Sequence, residues 1–324
     1  MTEPSRHSGP ARRSPVLDRP GAVEADPPDT GVAAHYGSLA HEQRALLAGD
    51  AVVDLSHRDV LSISGPDRLT WLHSLTTQHL EALAPGARTE VLLLSPQGRI
   101  EHGFAGIDDG ETFWAHTEPG HAAALLEFLE RMKFFSRVEL ARIDDQVVLG
   151  RVAGGDLVHD LVPRADLDVL AASDAAVAGT WAWEALRIEA GIPRVGLDTD
   201  DRTIPNEIGL LGRAVHLDKG CYRGQETVAR VHTLGRPPRR LVRLLLDGSA
   251  EHLPSHGAAV ELDGAVVGVV GSSARHHELG PVALAVVKRT VDPAATLTVD
   301  GVAAAQELVV DPEVGLHVRP VLGR

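Results

Sequence analysis

A single cysteine lies in the octet KGCYRGQE, between two cations and two glycines. Lys219 and Arg223 flank Cys221, and Gly220 and Gly224 permit tight turns and the close approach of a ligand. A helix is predicted to begin just after the cysteine, so the positive end of its dipole and both cations would stabilise a thiolate. A lone cysteine is usually inert and buried. Its charged, small neighbours here favour a functional thiol.

One thiol excludes an internal disulfide and a self-contained metal cluster, so we predict no metal site. His216 and His232 are candidate bases for the thiol if the fold brings them near. The RHHE stretch at 275–278 lacks the spacing of a zinc motif, and it predicts a solvated loop.

A second unusual residue is Glu189, in the last turn of a helix predicted from WAWEALRIEAG. A carboxylate there faces the negative end of the helix dipole, at a cost of about 0.3–1 kcal/mol. Two interpretations are open: a surface acid paired with Arg187 or Arg194, or a ligand carboxylate aimed into a cleft. The residues alone favour the surface acid, because such acids are common.

Composition narrows the classes of function. The chain has 324 residues, a formal net charge of -14 and one cysteine. Strong acidity argues against direct partnership with nucleic acid or an anionic membrane, and an anionic ligand would need a local basic patch. Neither a signal peptide nor an apolar run of membrane-spanning length is apparent, so a cytoplasmic protein is expected.

The pattern along the chain predicts an α+β protein in three parts. Residues 1–35 are rich in proline and charge, which predicts a disordered tail. Residues 36–236 mix antiparallel strands with helices. Residues 237–324 contain short β runs joined by Asp-Gly turns, which predicts a C-terminal antiparallel β-barrel domain.

Three stretches, LRIEAGIPRVGLD, TIPNEIGL and AVHLDKGCYRGQETVARV, resemble the signature of the YgfZ family. This family is related to the T-protein (aminomethyltransferase) of the glycine cleavage system, and the resemblance covers roughly residues 51–290. It implies a T-protein-like three-lobed cloverleaf with a C-terminal barrel. It also implies a central channel that binds tetrahydrofolate or a derivative.

The resemblance further implies support of iron–sulfur protein assembly or repair, with transient client or assembly proteins as partners. Some family members affect iron–sulfur-dependent tRNA modification. Cys221 would be the functional thiol, with Lys219 favouring its ionised form. Glu189 would hold the pterin, because one carboxylate accepts from the adjacent pterin amino group and ring N–H. The site would be completed by Tyr222, Gln225 and Glu226. The folate glutamate tail would meet Arg223, Arg230 or Arg236.

The sequence departs from the T-proteins at their paired catalytic aspartates. His102 and Gly103 occupy those places in GRIEHGF, and Glu101 is one place out of register. In a strand, that shift turns Glu101 to the opposite face. Aminomethyl transfer is therefore not expected, and whether the protein is an enzyme is left open. The alternatives are another folate-dependent one-carbon transferase or demethylase, and a non-catalytic binding scaffold.

Overall fold

The computed structural model describes residues 12–249 and 252–316. Its helices in this part of the chain are α1 Leu39–Ala48, α2 Arg68–Leu75, α3 Ala122–Arg131, α4 Asp166–Ala172, α5 Thr180–Glu189 and α6 Gln225–Leu234. Its strands there are β1 Val23–Glu24, β2 Ala33–His35, β3 Ala51–Asp54, β4 Asp59–Ser64, β5 Arg88–Leu94, β6 Ile100–Asp108, β7 Thr112–Thr117, β8 Glu139–Ile143, β9 Gln146–Ala153, β10 Asp156–Pro163, β11 Ala176–Ala178, β12 Arg239–Leu246, β13 Ala259–Leu262, β14 Ala265–His276, β15 Gly280–Lys288, β16 Leu297–Val299 and β17 Val302–Leu308. Two short 3-10 helices are Pro15–Asp18 and Pro205–Glu207.

The chain divides into two compact units whose segments alternate along the sequence. The first unit contains the residues up to Leu69, Leu83–Arg88 and Phe104–Trp183. The second contains Thr70–Ala82, Thr89–Gly103 and the residues from Glu184 onward.

The first unit contains two larger sheets, besides the two-stranded sheet of β1 and β2. In one, the strands follow the order β10-β9-β3-β11, with β11 parallel to β3 and the other pairs antiparallel. In the other, β6, β7, β4 and β8 adjoin in that order, all antiparallel. Helix α3 lies against β4 and β8, and buries Leu125 and Leu129 from its apolar face.

Residues 12–35 contain a 3-10 helix and strands β1 and β2, which corrects the prediction of a disordered tail over this range. The 3-10 helix at its start inserts Val16, 1% exposed, into a cluster with Val147 and Leu167. A few apolar residues among many prolines and charges are therefore enough to hold the segment on the first unit. Residues 1–11 of the predicted tail lie outside the described residues.

A closed barrel of six antiparallel strands, in the order β12-β15-β14-β13-β16-β17, lies in the second unit. Two of its hairpins turn at Asp-Gly pairs whose residues all have positive φ, as the type I′ turn requires: Asp263, Gly264, Asp300 and Gly301. The α+β class and the C-terminal antiparallel barrel are thus confirmed, and the domain boundary at residue 236 stays a prediction. Across residues 12–249 and 252–316, every helix is too short or too polar to cross a bilayer.

Candidate functional site

Helix α5 places Glu189 in the second unit at the very end of the helix. Ala185 and Ile188, both fully buried, fix the apolar face of this helix in the core. Gly191 ends the helix with φ +67, a conformation that L side chains rarely adopt. Glu189 is therefore the last helical residue, as the sequence predicts, and its carboxylate lies at the negative end of the helix.

Two contacts hold Glu189. Its Oε2 lies 3.1 Å from Nε2 of His276, and its backbone carbonyl accepts a hydrogen bond from the guanidinium of Arg243. The side chain is still 42% exposed. Arg187, a partner expected for a simple surface acid, instead lies against Glu184 and against Asp198 at 2.9 Å.

His276 is the partner of Glu189 that the sequence reasoning missed. It ends strand β14 with its side chain 1% exposed, so the prediction of a solvated loop is wrong at this residue. Its Nδ1 accepts from the backbone N–H groups of Glu278 (3.2 Å) and Leu279 (3.1 Å). Nε2 therefore carries the proton and donates to Glu189. Burial is the main cause that lowers the pKa of His276.

The octet that contains Cys221 forms a loop that leads into α6. Cys221 is exposed and lies four residues before Gln225, the first residue of the helix. Gly224 caps the helix with φ +81, and a Cβ there would lie 2.5 Å from the carbonyl oxygen of Ser95 and 2.9 Å from Cα of Gly98. The SPQG turn at residues 95–98 thus packs directly on the start of α6, and Gly224 is required for that approach.

Lys219 caps the end of helix α2. Its ammonium donates to the carbonyl oxygens of His73, Thr76 (2.5 Å) and Gln78 (3.2 Å), and lies 5.1 Å from the ring centroid of Tyr222. A cation is favourable at the carbonyl end of a helix. Burial lowers the pKa of Lys219 to about 8. The sequence did not indicate this structural role, and an effect of Lys219 on the thiol stays a prediction.

Three further candidates lie around this lysine and cysteine. Tyr222 is 8% exposed and belongs to a core cluster, and burial raises its pKa to about 12. The amide of Gln225 donates to the carbonyl of Lys219 at 3.4 Å. The guanidinium of Arg223 lies 2.9 Å from the carboxylate of Glu101. The structure therefore brings Lys219, Tyr222 and Gln225 together, and joins Arg223 to strand β6.

In the part of the chain that the structure describes, the three remaining candidates make no hydrogen bond or ion pair with Lys219, Tyr222 or Gln225. Glu226 and Arg230 are exposed on α6, and Arg236 lies 3.6 Å from the carboxylate of Glu313. Within the described residues, no hydrogen bond or ion pair joins Glu189 to the loop that carries Cys221. The roles of all these residues toward a ligand stay predictions.

Strand β6 bears the residues that stand where T-proteins have aspartates. Because β6 is extended from Ile100, neighbouring side chains alternate in direction, and Glu101 and His102 point to opposite faces. A Cβ on Gly103 would lie 2.8 Å from Cγ2 of Val195, which leaves little space there for an aspartate.

One group of side chains has the spacing of a metal site. Atoms of His73, His79 and Glu81 all lie within 4.8 Å of one another, and the ring of His216 lies 5.4 Å from that of His79. However, Nδ1 of His73 accepts the N–H of Leu80 at 3.2 Å, so the neutral ring carries its proton on Nε2. One of the three donors is therefore not prepared for a metal ion.

No family model matches the sequence. A chloroplastic protein of Arabidopsis thaliana, named a putative transferase, is 29% identical over 272 residues, which cover 69% of this chain and 62% of the relative. The aminomethyltransferase of Rippkaea orientalis is 27% identical over 315 residues, 81% of this chain and 84% of the relative. The tRNA-modifying protein YgfZ of Edwardsiella ictaluri is 28% identical over 247 residues, 62% and 72% of the two chains.

A solved structure agrees with these relatives. The glycine cleavage system aminomethyltransferase T of Bartonella henselae superposes with a TM-score of 0.77 at 18% sequence identity, over 94% of this chain and 99% of the other. The resemblance stated from the sequence motifs is confirmed. The chain is a relative of the YgfZ proteins and of the aminomethyltransferases, and it has the aminomethyltransferase fold.

Proposed function

We propose that this protein binds tetrahydrofolate or a derivative, with Glu189 as the residue that holds the pterin. The observation that carries the proposal is the state of Glu189: its carboxylate is oriented by His276 and is still 42% exposed. A carboxylate in this state can accept two parallel N–H donors, which is the pattern that a pterin presents.

The surroundings explain why a carboxylate is tolerated at this position. The N–H of His276 and the guanidinium of Arg243 bring donors to the carbonyl end of α5, where a lone carboxylate would be unfavourable. Such support is expected of a residue selected for binding rather than for solubility.

Calorimetric titration with tetrahydrofolate tests this proposal. Glu189→Gln should weaken binding by about tenfold or more, because one charged acceptor is lost. Glu127→Gln is the matched control, since Glu127 is a 70% exposed residue of α3. Absence of binding by the wild type, or equal binding by Glu189→Gln, would refute the folate proposal and favour the non-catalytic scaffold.

We further propose that the protein supports iron–sulfur protein assembly or repair, and that Cys221 is the thiol that serves it. The support is the exposure of Cys221, in an octet that also contains Lys219 and Arg223, together with relatives named tRNA-modifying protein YgfZ. Cells that lack the protein, complemented with Cys221→Ser, should show reduced activity of iron–sulfur enzymes. Full activity with a normally folded variant would refute the role of the thiol.

A transferase is the second candidate function, because two of the relatives are named as transferases. The ion pair of Glu101 with Arg223 argues against it, since the carboxylate next in sequence to the places of the missing aspartates is already engaged. Turnover of a methylamine-type substrate that depends on tetrahydrofolate, and is lost in Glu101→Gln, would establish it in place of the assembly role.

A further inference from the structure

A cavity with a volume of about 710 Å³ lies wholly within the first unit. Its wall comes from the N-terminal segment, the turn between β3 and β4, the turn before α3, and the region between β8 and β10. This volume is in the range of small-molecule sites. Its charged lining is unusual for so acidic a chain, with four arginines and two aspartates: Arg12, Arg58, Arg142, Arg164, Asp59 and Asp144.

Two of the four arginines are neutralised by carboxylates. Arg58 lies 2.8 Å from Glu118, and both side chains are largely buried. Arg142 lies 2.9 Å from Asp59, which is itself 5% exposed. These two pairs stabilise the wall, and they leave two arginines, Arg12 and Arg164, against one further lining carboxylate, Asp144, which lies 3.9 Å from Arg142.

Arg164 and Arg12 together outweigh Asp144 and give the lining its excess positive charge. Arg164 donates from Nε to the backbone carbonyl of Asp144 at 2.6 Å, and a carbonyl does not neutralise the guanidinium. Burial and then the nearby charge of Arg12 lower the pKa of Arg164, while Asp144 and Asp54 act in the opposite direction. Two like charges held near each other in one cavity favour an anion between them.

The rest of the wall indicates the kind of anion. Thr30, Ser56 and Gln146 offer neutral hydrogen-bonding groups, and Val60 and Ile143 add limited apolar surface. None of the lining residues has a Phe, Tyr or Trp ring, and the side chain of His57 is only 2% exposed, so the wall offers no exposed aromatic ring on which a nucleobase or pterin could stack. Paired guanidinium groups match phosphate oxygens in a bidentate geometry.

We propose that this cavity binds a small phosphate-bearing anion through Arg12 and Arg164. Arg12 comes from the N-terminal segment and Arg164 follows β10, so the anion would also join these two segments of the first unit. Glu189 and Cys221 belong to the second unit, and this inference does not depend on folate binding or on the thiol.

The test is titration of the full chain with inorganic pyrophosphate at low ionic strength. Calorimetry measures binding, and thermal unfolding measures the change in Tm. Pyrophosphate should bind and raise the Tm of the wild type. Arg164→Gln and Arg12→Glu should each weaken binding by about tenfold or more. Arg131→Gln is the matched control, because Arg131 is exposed on α3 and pairs with Glu127; it should bind as the wild type does.

Citrate, titrated in parallel, separates phosphate from carboxylate anions. Arg12→Glu keeps the test valid if Arg164→Gln folds poorly, because Arg12 is exposed. The proposal is overturned if pyrophosphate does not bind, if both arginine variants bind it as the wild type does, or if citrate binds at the cavity and pyrophosphate does not.

Discussion

The carboxylate of Glu189 and the ring of His276 meet at 3.1 Å although 87 residues separate them in the chain. One residue ends helix α5, and the other ends strand β14 of the barrel. The barrel therefore orients the carboxylate that we propose as the pterin ligand. Because His276 is buried, it offers little surface to a ligand. Its contribution to binding is to fix the direction of the Glu189 carboxylate.

We expect His276→Asn to weaken tetrahydrofolate binding by about three- to tenfold, because asparagine is too short to reach Glu189. The asparagine side chain can still accept from the following backbone N–H groups, so stability should fall by no more than about 1 kcal/mol. Calorimetry and urea unfolding measure the two effects. In the double variant with Glu189→Gln, binding should be no weaker than in Glu189→Gln alone; additive losses would contradict the positioning role.

The two glycines of the cysteine octet should respond differently to alanine. A Cβ on Gly224 would lie 2.5 Å from the carbonyl oxygen of Ser95, and φ is +81, whereas a Cβ on Gly220 meets nothing within 4 Å. Gly224→Ala should reduce the free energy of unfolding by about 1–3 kcal/mol, and Gly220→Ala by less than about 0.5 kcal/mol. Equal effects in urea unfolding would contradict the packing of the SPQG turn on α6.

Lys219→Met should destabilise the protein through helix α2. The change leaves the carbonyls of His73, Thr76 and Gln78 without their shared donor, at an expected loss of about 1–3 kcal/mol. Chemical denaturation measures this loss, and Lys288→Met on the barrel is a control, since Lys288 is exposed and donates to one carbonyl. A Lys219→Met variant as stable as the wild type would contradict the stabilising role of these three bonds.

The stability of the first unit should fall in acid partly because of His116. Burial lowers the pKa of His116 to about 3, whereas an unfolded histidine has a pKa near 6.5. Between these values the unfolded chain binds the proton and the folded chain does not, so stability falls as pH decreases through this range, by up to roughly 5 kcal/mol from this residue. Urea unfolding measures the loss of unfolding free energy between pH 7 and pH 4.5, and this loss should be smaller in His116→Gln than in the wild type. An equal loss in the two proteins would contradict the contribution of His116.

Local patterns in the sequence were enough to predict the ends of α5, the start of α6 after Cys221 and the Asp-Gly hairpins of the barrel. Each of these features depends on a few neighbouring residues. Gly191 ends α5, and Gly224 caps the start of α6. The position of Glu189 at the end of its helix was predicted for the same reason.

Contacts between distant segments could not be predicted in this way. The bonds of Lys219 to the end of α2 span more than 140 residues, and nothing in the RHHE stretch indicates that His276 reaches Glu189. Composition also failed for residues 12–35, because Val16 needs a partner such as Leu167 that only the folded chain supplies.

The alternation of the two units has a consequence for biosynthesis. Leu92, Leu94 and Ile100 belong to a core cluster whose other buried members begin at Ala185, which is 91 residues after Leu94. A ribosome needs roughly 5–20 s to add that length. These leucines therefore leave the exit tunnel before their packing partners exist, and they cannot be buried in this cluster until the segment from Ala185 onward has been made.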